Sequence, residues 1–397
     1  MKTRKPVDEA FWFQEGPGVR KWQFTTAGIK LLNVGNILPT GELDLSKTDR
    51  CLSREEAETR YKHFFVDEGD LVIASSGISF DDDGLLRTRG AFVRRSHLPL
   101  CLNTSTIRFK SKGDADLRYL RFWLDSHEFR SQITRLVTGS AQQNFGPSHL
   151  ENIQISLPDP SEQQRIAARL EQADRLCRTR RYALELTDTF LPAVFLELFG
   201  DPVANPRGWE RAKIYELGDV ETGNTPPRER ADYYGSAIEW IKSDNISLAQ
   251  MRPSKAAEGL SEKGIEFGRI VETGSLLLTC IAGSETSIGN AVLTDRRVAF
   301  NQQINAVTPH RDVDPQFLYG LFFTAKPMIQ RNTTLAMKRM ITKGKLEELV
   351  LIKPPLALQQ KFAAVVERVE RLRAVQREAL RQAEHLFASL LLRAFSG

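Results

Sequence analysis

Side chains able to do covalent chemistry are scattered in this sequence. The six histidines stand apart, so neither an HExxH helix face nor a His/Cys metal set is spelled out. The four cysteines (Cys51, Cys101, Cys177 and Cys280) form no CxxC pair and fit neither a zinc site nor a disulfide framework. No GxSxG elbow occurs, and Thr342-Lys343-Gly344-Lys345 is too short for a phosphate-binding loop. An amino-methylating enzyme would need an Asn/Asp-Pro-Pro-aromatic motif and a Gly-rich cofactor strand, and neither is found. Asp81-Asp82-Asp83-Gly84 opens like a calcium loop, but Phe92 stands where the twelfth-position glutamate belongs, so it reads as a solvated acidic turn.

What remains is the chemistry of polar recognition. The first half carries Arg20-Lys21 beside Trp22, Arg87 and Arg89, Arg94-Arg95, and the loop Gln142-Gln143-Asn144. The second half carries Arg228 and Arg230, Lys242 with Asn245, Arg296-Arg297, and Lys338-Arg339 with Lys343. Arginine, lysine, asparagine and glutamine are the side chains that neutralise phosphates and read base edges. Any one of them is ordinarily a solvated surface charge; as a set on loops they favour a nucleic acid over a small ligand.

The elements that would position these clusters form an internal repeat. A long helix is written twice, from about Leu157 to Phe199 and again, 196 residues on, from about Lys353 to Phe395. Pro158 falls on Pro354, Gln163-Gln164 on Gln359-Gln360, and Phe199 on Phe395. Spacings of three and four place Ile166, Leu170, Ala173, Leu184 and Leu191 on one seam, and Phe362, Val366, Val369, Leu380 and Phe387 on the other. Such narrow seams suit two helices packed on each other as an antiparallel coiled coil. Ser161 is the expected N-cap with Pro160 just outside, and Pro192 should kink the first helix.

Around the helices stand two units of short strands and turns. In the first, Lys30–Ile37 (ending in an Asn/Gly turn), Gly69–Ala74, Ala91–Val93 and Ile153–Leu157 read as strands, and 117–137 reads as helical. In the second, Trp240–Ile246, Gly274–Thr279, Phe300–Ile304 and the helix opening at Val313 follow in the same order. The expected fold is α+β: recognition domains at 1–158 and 201–354, with spacer helices at 159–200 and 355–397.

Bulk properties agree with this reading. A length of 397 residues allows two or three domains, and 41% apolar residues with 9% aromatics can build real cores. The net charge of +5 permits a nucleic-acid partner without demanding one. No apolar run is long enough to span a bilayer and no secretory h-region opens the chain, so a cytoplasmic location is expected.

In these residues the chain resembles the specificity subunit of type I restriction-modification systems, over essentially its whole length. The resemblance rests on Leu157-Pro158 with Glu162-Gln163-Gln164, Phe199-Gly200-Asp201-Pro202, and Asn205-Pro206-Arg207-Gly208-Trp209-Glu210. It continues through Leu217-Gly218-Asp219-Val220, Gly223-Asn224-Thr225-Pro226, Tyr233-Tyr234-Gly235 and Ile238-Glu239-Trp240-Ile241. The first unit departs from the pattern, opening with Phe11-Trp12-Phe13 rather than a Trp-Glu…Leu-Gly-Asp-Val segment, so an atypical or shortened first strand is expected.

The resemblance implies two target recognition domains that each read a few base pairs of double-stranded DNA. It also implies docking of modification subunits, two in number, and of motor-nuclease subunits. Catalysis, S-adenosylmethionine, ATP and magnesium would belong to those partners, and none to this chain. About 39 helical residues at 1.5 Å each span roughly 58 Å, or about 17 base pairs at 3.4 Å. An assembly scaffold that never touches DNA is the alternative; it would lack salt-dependent duplex binding.

Overall fold

The structure is a computed structural model that describes residues 3–46, 48–77, 79–80, 84–137, 144–247, 250–284, 286–335 and 339–396. It divides into two compact units, Met1–Arg181 with Ala379–Gly397, and Tyr182–Glu378. Both divisions fall inside long helices, Pro160–Phe199 and Leu356–Phe395, of 40 residues each. The expected boundaries 1–158, 159–200, 201–354 and 355–397 set the helices apart as spacers, whereas each compact unit takes about half of each helix. The cause is burial. In the first unit, Leu170 and Phe395 share one core with Tyr119, Trp123 and Phe129. In the second, Leu191, Phe195, Phe199, Phe362, Val366 and Val369 share one core with Phe317 and Phe322. Each fully buried side chain of this size contributes about 1.5–3 kcal/mol.

Short apolar runs, buried along most of the central strands, build the same main sheet twice. The main sheet of the first unit orders Phe11–Glu15, Thr106–Ser111, Leu71–Ala74 and Gly90–Phe92, all antiparallel. That of the second orders Gly218–Thr222, Ile304–Pro309, Leu276–Thr279 and Ala291–Leu293, also antiparallel. A second sheet in each unit holds one parallel pair, Ile29–Leu32 with Leu100–Leu102, and Tyr234–Ile241 with Val298–Phe300. An N-terminal strand then pairs with the strand that feeds the long helix: Thr3–Pro6 with Gln154–Leu157, and Arg211–Lys213 with Val350–Ile352. The opening of the first unit is thus neither missing nor shortened. Phe11–Glu15 has the length of Gly218–Thr222 and pairs in the same antiparallel way with the equivalent central strand, so the strand forms without the motif residues.

The helical stretch 117–137 is two helices, Leu117–Trp123 and His127–Leu136, the second capped by Ser126. The first long helix is capped by Asp159, whose Oδ1 accepts from the Glu162 amide at 3.0 Å and from the Ser161 hydroxyl at 2.6 Å. Ser161 is therefore inside the helix, and Pro160 is its first residue, where the missing N–H costs nothing. The helix runs on through Pro192.

Within the second unit the helix halves run antiparallel. Phe195 meets Phe362 at 5.4 Å between ring centroids, while Arg373 donates to the Thr187 hydroxyl at 2.8 Å and to Asp188 at 2.8 Å. In the first unit Arg181 pairs with Glu384 at 2.8 Å. Of the seam residues, Leu170, Ala173, Leu191, Phe362, Val366 and Val369 are buried; Ile166, Leu184, Leu380 and Phe387 are only half-buried. No residue from 178 to 190 or from 374 to 382 is buried. Burial is concentrated toward the helix ends, where sheets and shorter helices add neighbours that the helix pattern alone cannot reveal.

The repeated glutamines have a shared task. Gln163 Oε1 accepts from the Asp116 amide at 2.9 Å and Nε2 donates to the Pro158 carbonyl at 2.8 Å. Gln359 makes the same pair with the Asp314 amide and the Pro354 carbonyl, each at 2.8 Å. Both side chains are buried, locking each long helix to the shorter helix of its own unit.

Candidate nucleic-acid interface

At one end of each main sheet several turns are tied together by backbone bonds. In the first unit the Gly16 amide donates to Thr106 O at 3.0 Å, Ser75 to Ser105 O at 3.0 Å, and Phe145 to Ser75 O at 3.0 Å. In the second the Gly223 amide donates to Ile304 O at 3.0 Å, Cys280 to Gln303 O at 2.8 Å, and Ile341 to Cys280 O at 3.0 Å. Glycine is required at the first of these points, because a Cβ on Gly16 would lie 2.4 Å from Asn103 O, and one on Gly223 would lie 2.2 Å from Asn301 O. Side chains extend the network: Asn33 with Asn103 at 2.8 Å, Ser243 with Gln303 at 3.1 Å, and Thr225 with Gln302. The second unit's end therefore gathers segments 223–230, 242–245, 280–284, 301–303 and 339–341.

The structure sorts the expected contact residues into three groups. Arg20 and Lys21 are exposed on the turn that follows Gly16, and Asn144 is exposed beside Phe145. Arg228, Arg230 and Lys242 sit at the second unit's gathered end, each over an aromatic ring. Arg228 lies 4.8 Å from Tyr234 and 5.1 Å from Trp240, Arg230 lies 4.7 Å from Tyr233, and Lys242 lies 5.0 Å from Trp240. Glu258 binds both Arg228 and Lys242, and hydrogen bonds from Lys242 first, then Arg228, hold its carboxyl below the usual range. Asp232 does the same for Arg230 and Lys263, which hold it well below that range. Arg339 lies in a strand paired with Ile281–Ala282 at the same end.

A second group faces elsewhere. Arg87 and Arg89 line a cavity of about 530 Å³ in the first unit with Arg121, Asp125, Arg181 and Glu384. Arg94 borders a neighbouring cavity of about 470 Å³ that shares Arg121 and also holds Glu171 and Asp174. Arg95 is exposed in the short turn that follows Arg94. Arg297 pairs with Glu272 at 3.2 Å, and Lys343 with Glu347 at 3.5 Å.

Two expected contact residues are already satisfied within the second unit. Asn245 is 8% exposed; its Oδ1 accepts from the Lys242 amide at 3.0 Å, and its amide group donates to Ser254 and to Lys255 O. Asn36 does the same in the first unit, with the Asn33 amide, Asp44 O and Thr48. Arg296 grips Glu239 through two bonds of 3.0 and 2.9 Å and reaches Asp295 at 2.7 Å. Composition could not separate such satisfied side chains from free ones. Gln142, Gln143, Lys338 and Asp81 to Asp83 lie outside the described residues.

Other chemistry is sparse. The four cysteines are free and buried, and burial pushes the Cys101 and Cys280 thiols up to about 12. Among the described residues no group of three or more His, Cys, Asp or Glu could hold a metal ion, and no helix is long and apolar enough to cross a membrane. The sequence placed Trp22 beside Arg20-Lys21 in a recognition cluster, but Tyr233 entered only as a motif residue and Phe267 not at all, since their pairing joins segments distant in sequence.

Twinned α+β units with divergent polar turns at one sheet end define a duplicated recognition fold. Known proteins agree with it. The family described as type I restriction modification DNA specificity domain matches residues 33–186 and 206–385. The HindI specificity subunit of Haemophilus influenzae is 28% identical over 116 residues, 29% of this chain and 24% of that protein. The MjaIX specificity subunit of Methanocaldococcus jannaschii is 30% identical over 122 residues, 30% and 27% of the two chains. The matches thus span about a quarter of these curated relatives. The type I S subunit from M. genitalium aligns with 100% of this chain and 96% of its own at 15% identity and a TM-score of 0.59, a likeness of fold. The family matches cover most of the chain, which therefore belongs to the type I restriction-modification DNA specificity family. Specificity subunits of such systems are non-catalytic recognition subunits.

Proposed function

We propose that this chain reads a bipartite target in double-stranded DNA, one half-site per unit, and docks modification subunits that carry the methylation chemistry. The carrying observation is the duplication itself: main sheets of identical strand order end in differently furnished polar turns. A frame kept twice with its turns changed is what two independent readers of different sequences require. The continuous helices support a spacer role between half-sites. They also carry exposed apolar residues: Tyr182, Leu186 and Phe190 at helical spacing on the first, and Leu372, Val375, Leu386 and Leu392 on the second. Stripes of this kind favour partner helices. Motor-nuclease subunits would join the complex through the modification subunits, with ATP and magnesium bound there.

The test is co-expression with the candidate modification subunit, followed by genome-wide mapping of methylated adenines. A bipartite motif with a fixed gap is expected. A single continuous motif would mean that one unit alone reads DNA. A stable complex without any motif would instead favour the scaffold.

A further inference from the structure

Trp22 is 78% exposed, more than any other large apolar residue described. It projects from the short turn Lys21–Gln23, which buried Gln23 fixes by accepting from the Arg20 amide at 2.8 Å and donating to Tyr61 Oη at 3.0 Å. Its sequence neighbours Arg20 and Lys21 are exposed and have no ion-pair partner among the described residues. Just upstream, Thr104 donates to Pro17 O at 2.9 Å, joining this segment to the gathered turns.

The second unit has a counterpart. The turn Ala231–Tyr233 occupies the same place in chain order, between the first strand of the main sheet and the parallel pair. Tyr233 stacks on Phe267 at 5.2 Å and 26°, and Phe267 is 53% exposed. Arg230 and Lys263 lie 4.7 and 5.9 Å from the Tyr233 ring. Asn224 donates to Phe267 O at 2.6 Å and accepts from the Arg269 amide at 2.9 Å, which ties the stack to segment 223–230.

Exposed flat rings carry a hydration cost, and these two are held on fixed turns rather than left on loose ones. Both have basic residues at hand (Arg20 and Lys21 next to Trp22 in the chain, Arg230 and Lys263 at the Tyr233 ring) and are joined to the candidate reading turns. Rings stack on bases whose neighbours have been unstacked, while the adjacent cations meet phosphates. We propose that Trp22 and the Tyr233–Phe267 stack are aromatic wedges, each packing against an unstacked base at the half-site its own unit reads. This rests on the bipartite reading proposed above.

The experiment uses the full chain co-purified with its modification partner, and duplexes carrying 2-aminopurine at successive positions in and beside the mapped half-sites. Fluorescence should rise at a position in each half-site. Trp22→Ala should abolish the rise at the first half-site only, Phe267→Ala at the second only, and Trp22→Phe should retain it. Each alanine variant should weaken binding about ten-fold without changing its salt dependence, because an uncharged ring releases no counterions. Unaltered fluorescence in both alanine variants would overturn the wedge. So would a Trp22→Ala chain that binds DNA normally but no longer holds its partner, since the ring would then be a protein contact. A wild-type complex with no salt-dependent duplex binding would overturn the bipartite reading and the wedge together.

Discussion

Gly223 offers the sharpest perturbation, because it sits where the frame of the second unit becomes recognition surface. In Gly223→Ala the new methyl would lie 2.2 Å from Asn301 O and 2.5 Å from Phe300 O, both backbone atoms that no rotamer change can move. Restoring ordinary contact of 3.4 Å or more requires a shift of about 1 Å. The shift strains the Gly223 bond to Ile304 O (3.0 Å) and the Asn224 bond to Phe300 O (3.1 Å). At about 0.5–1.5 kcal/mol each, losing both destabilises the second unit by roughly 1–3 kcal/mol. Gly283→Ala is the control, with nothing within 4 Å of the added carbon. The assay is site-resolved hydrogen exchange on the full chain, reading the Gly223 position, Asn224 and Ile304 against first-unit amides. Faster exchange confined to the second unit is expected, accompanied by a weakened second half-site in the methylation map and an unchanged first. A variant as protected as the Gly283→Ala control would refute the reasoning. Gly16→Ala should reproduce the effect in the first unit, where the contact is 2.4 Å to Asn103 O.

Three further outcomes are expected. Arg20→Ala and Lys21→Ala should each lower the slope of log affinity against log salt by about 1, whereas Arg296→Ala should leave the slope unchanged; titrations on duplex at several salt concentrations check this. The two hydrogen bonds from Arg296 hold the Glu239 carboxyl below its ordinary value of 4.5. A depressed carboxylate stabilises the folded unit above its unfolded pKa and loses that contribution as pH falls through the folded one. Exchange protection in the second unit should therefore decline below about pH 4.5, more steeply in wild type than in Arg296→Ala; equal acid profiles would contradict it. Four residues inserted into each long helix at the division of the units add about 6 Å, so the mapped gap should widen by one or two base pairs with both half-sites unchanged.

The sequence determined the duplication by itself. Helical seams and period-two strands are local signals, and an in-phase repeat over two long helices survives even where intervening loops have diverged. The opening of the first unit shows the limit of motifs: Phe11–Glu15 lacks the residues of Gly218–Thr222 yet takes the same place, because backbone pairing with the neighbouring central strand rather than residue identity makes the strand. Three matters were decided only by tertiary structure. Arg296 and Arg20 are the same residue type in similar surroundings, but only the fold brings Glu239 to one and leaves the other without an ion partner among the described residues. Asn245 looked like a recognition amide until the chain wrapped Ser254 and Lys255 around it. The unit boundaries moved from the helix ends to their middles, because a helix joins whichever core buries its apolar face, and that core is assembled from residues far away in sequence.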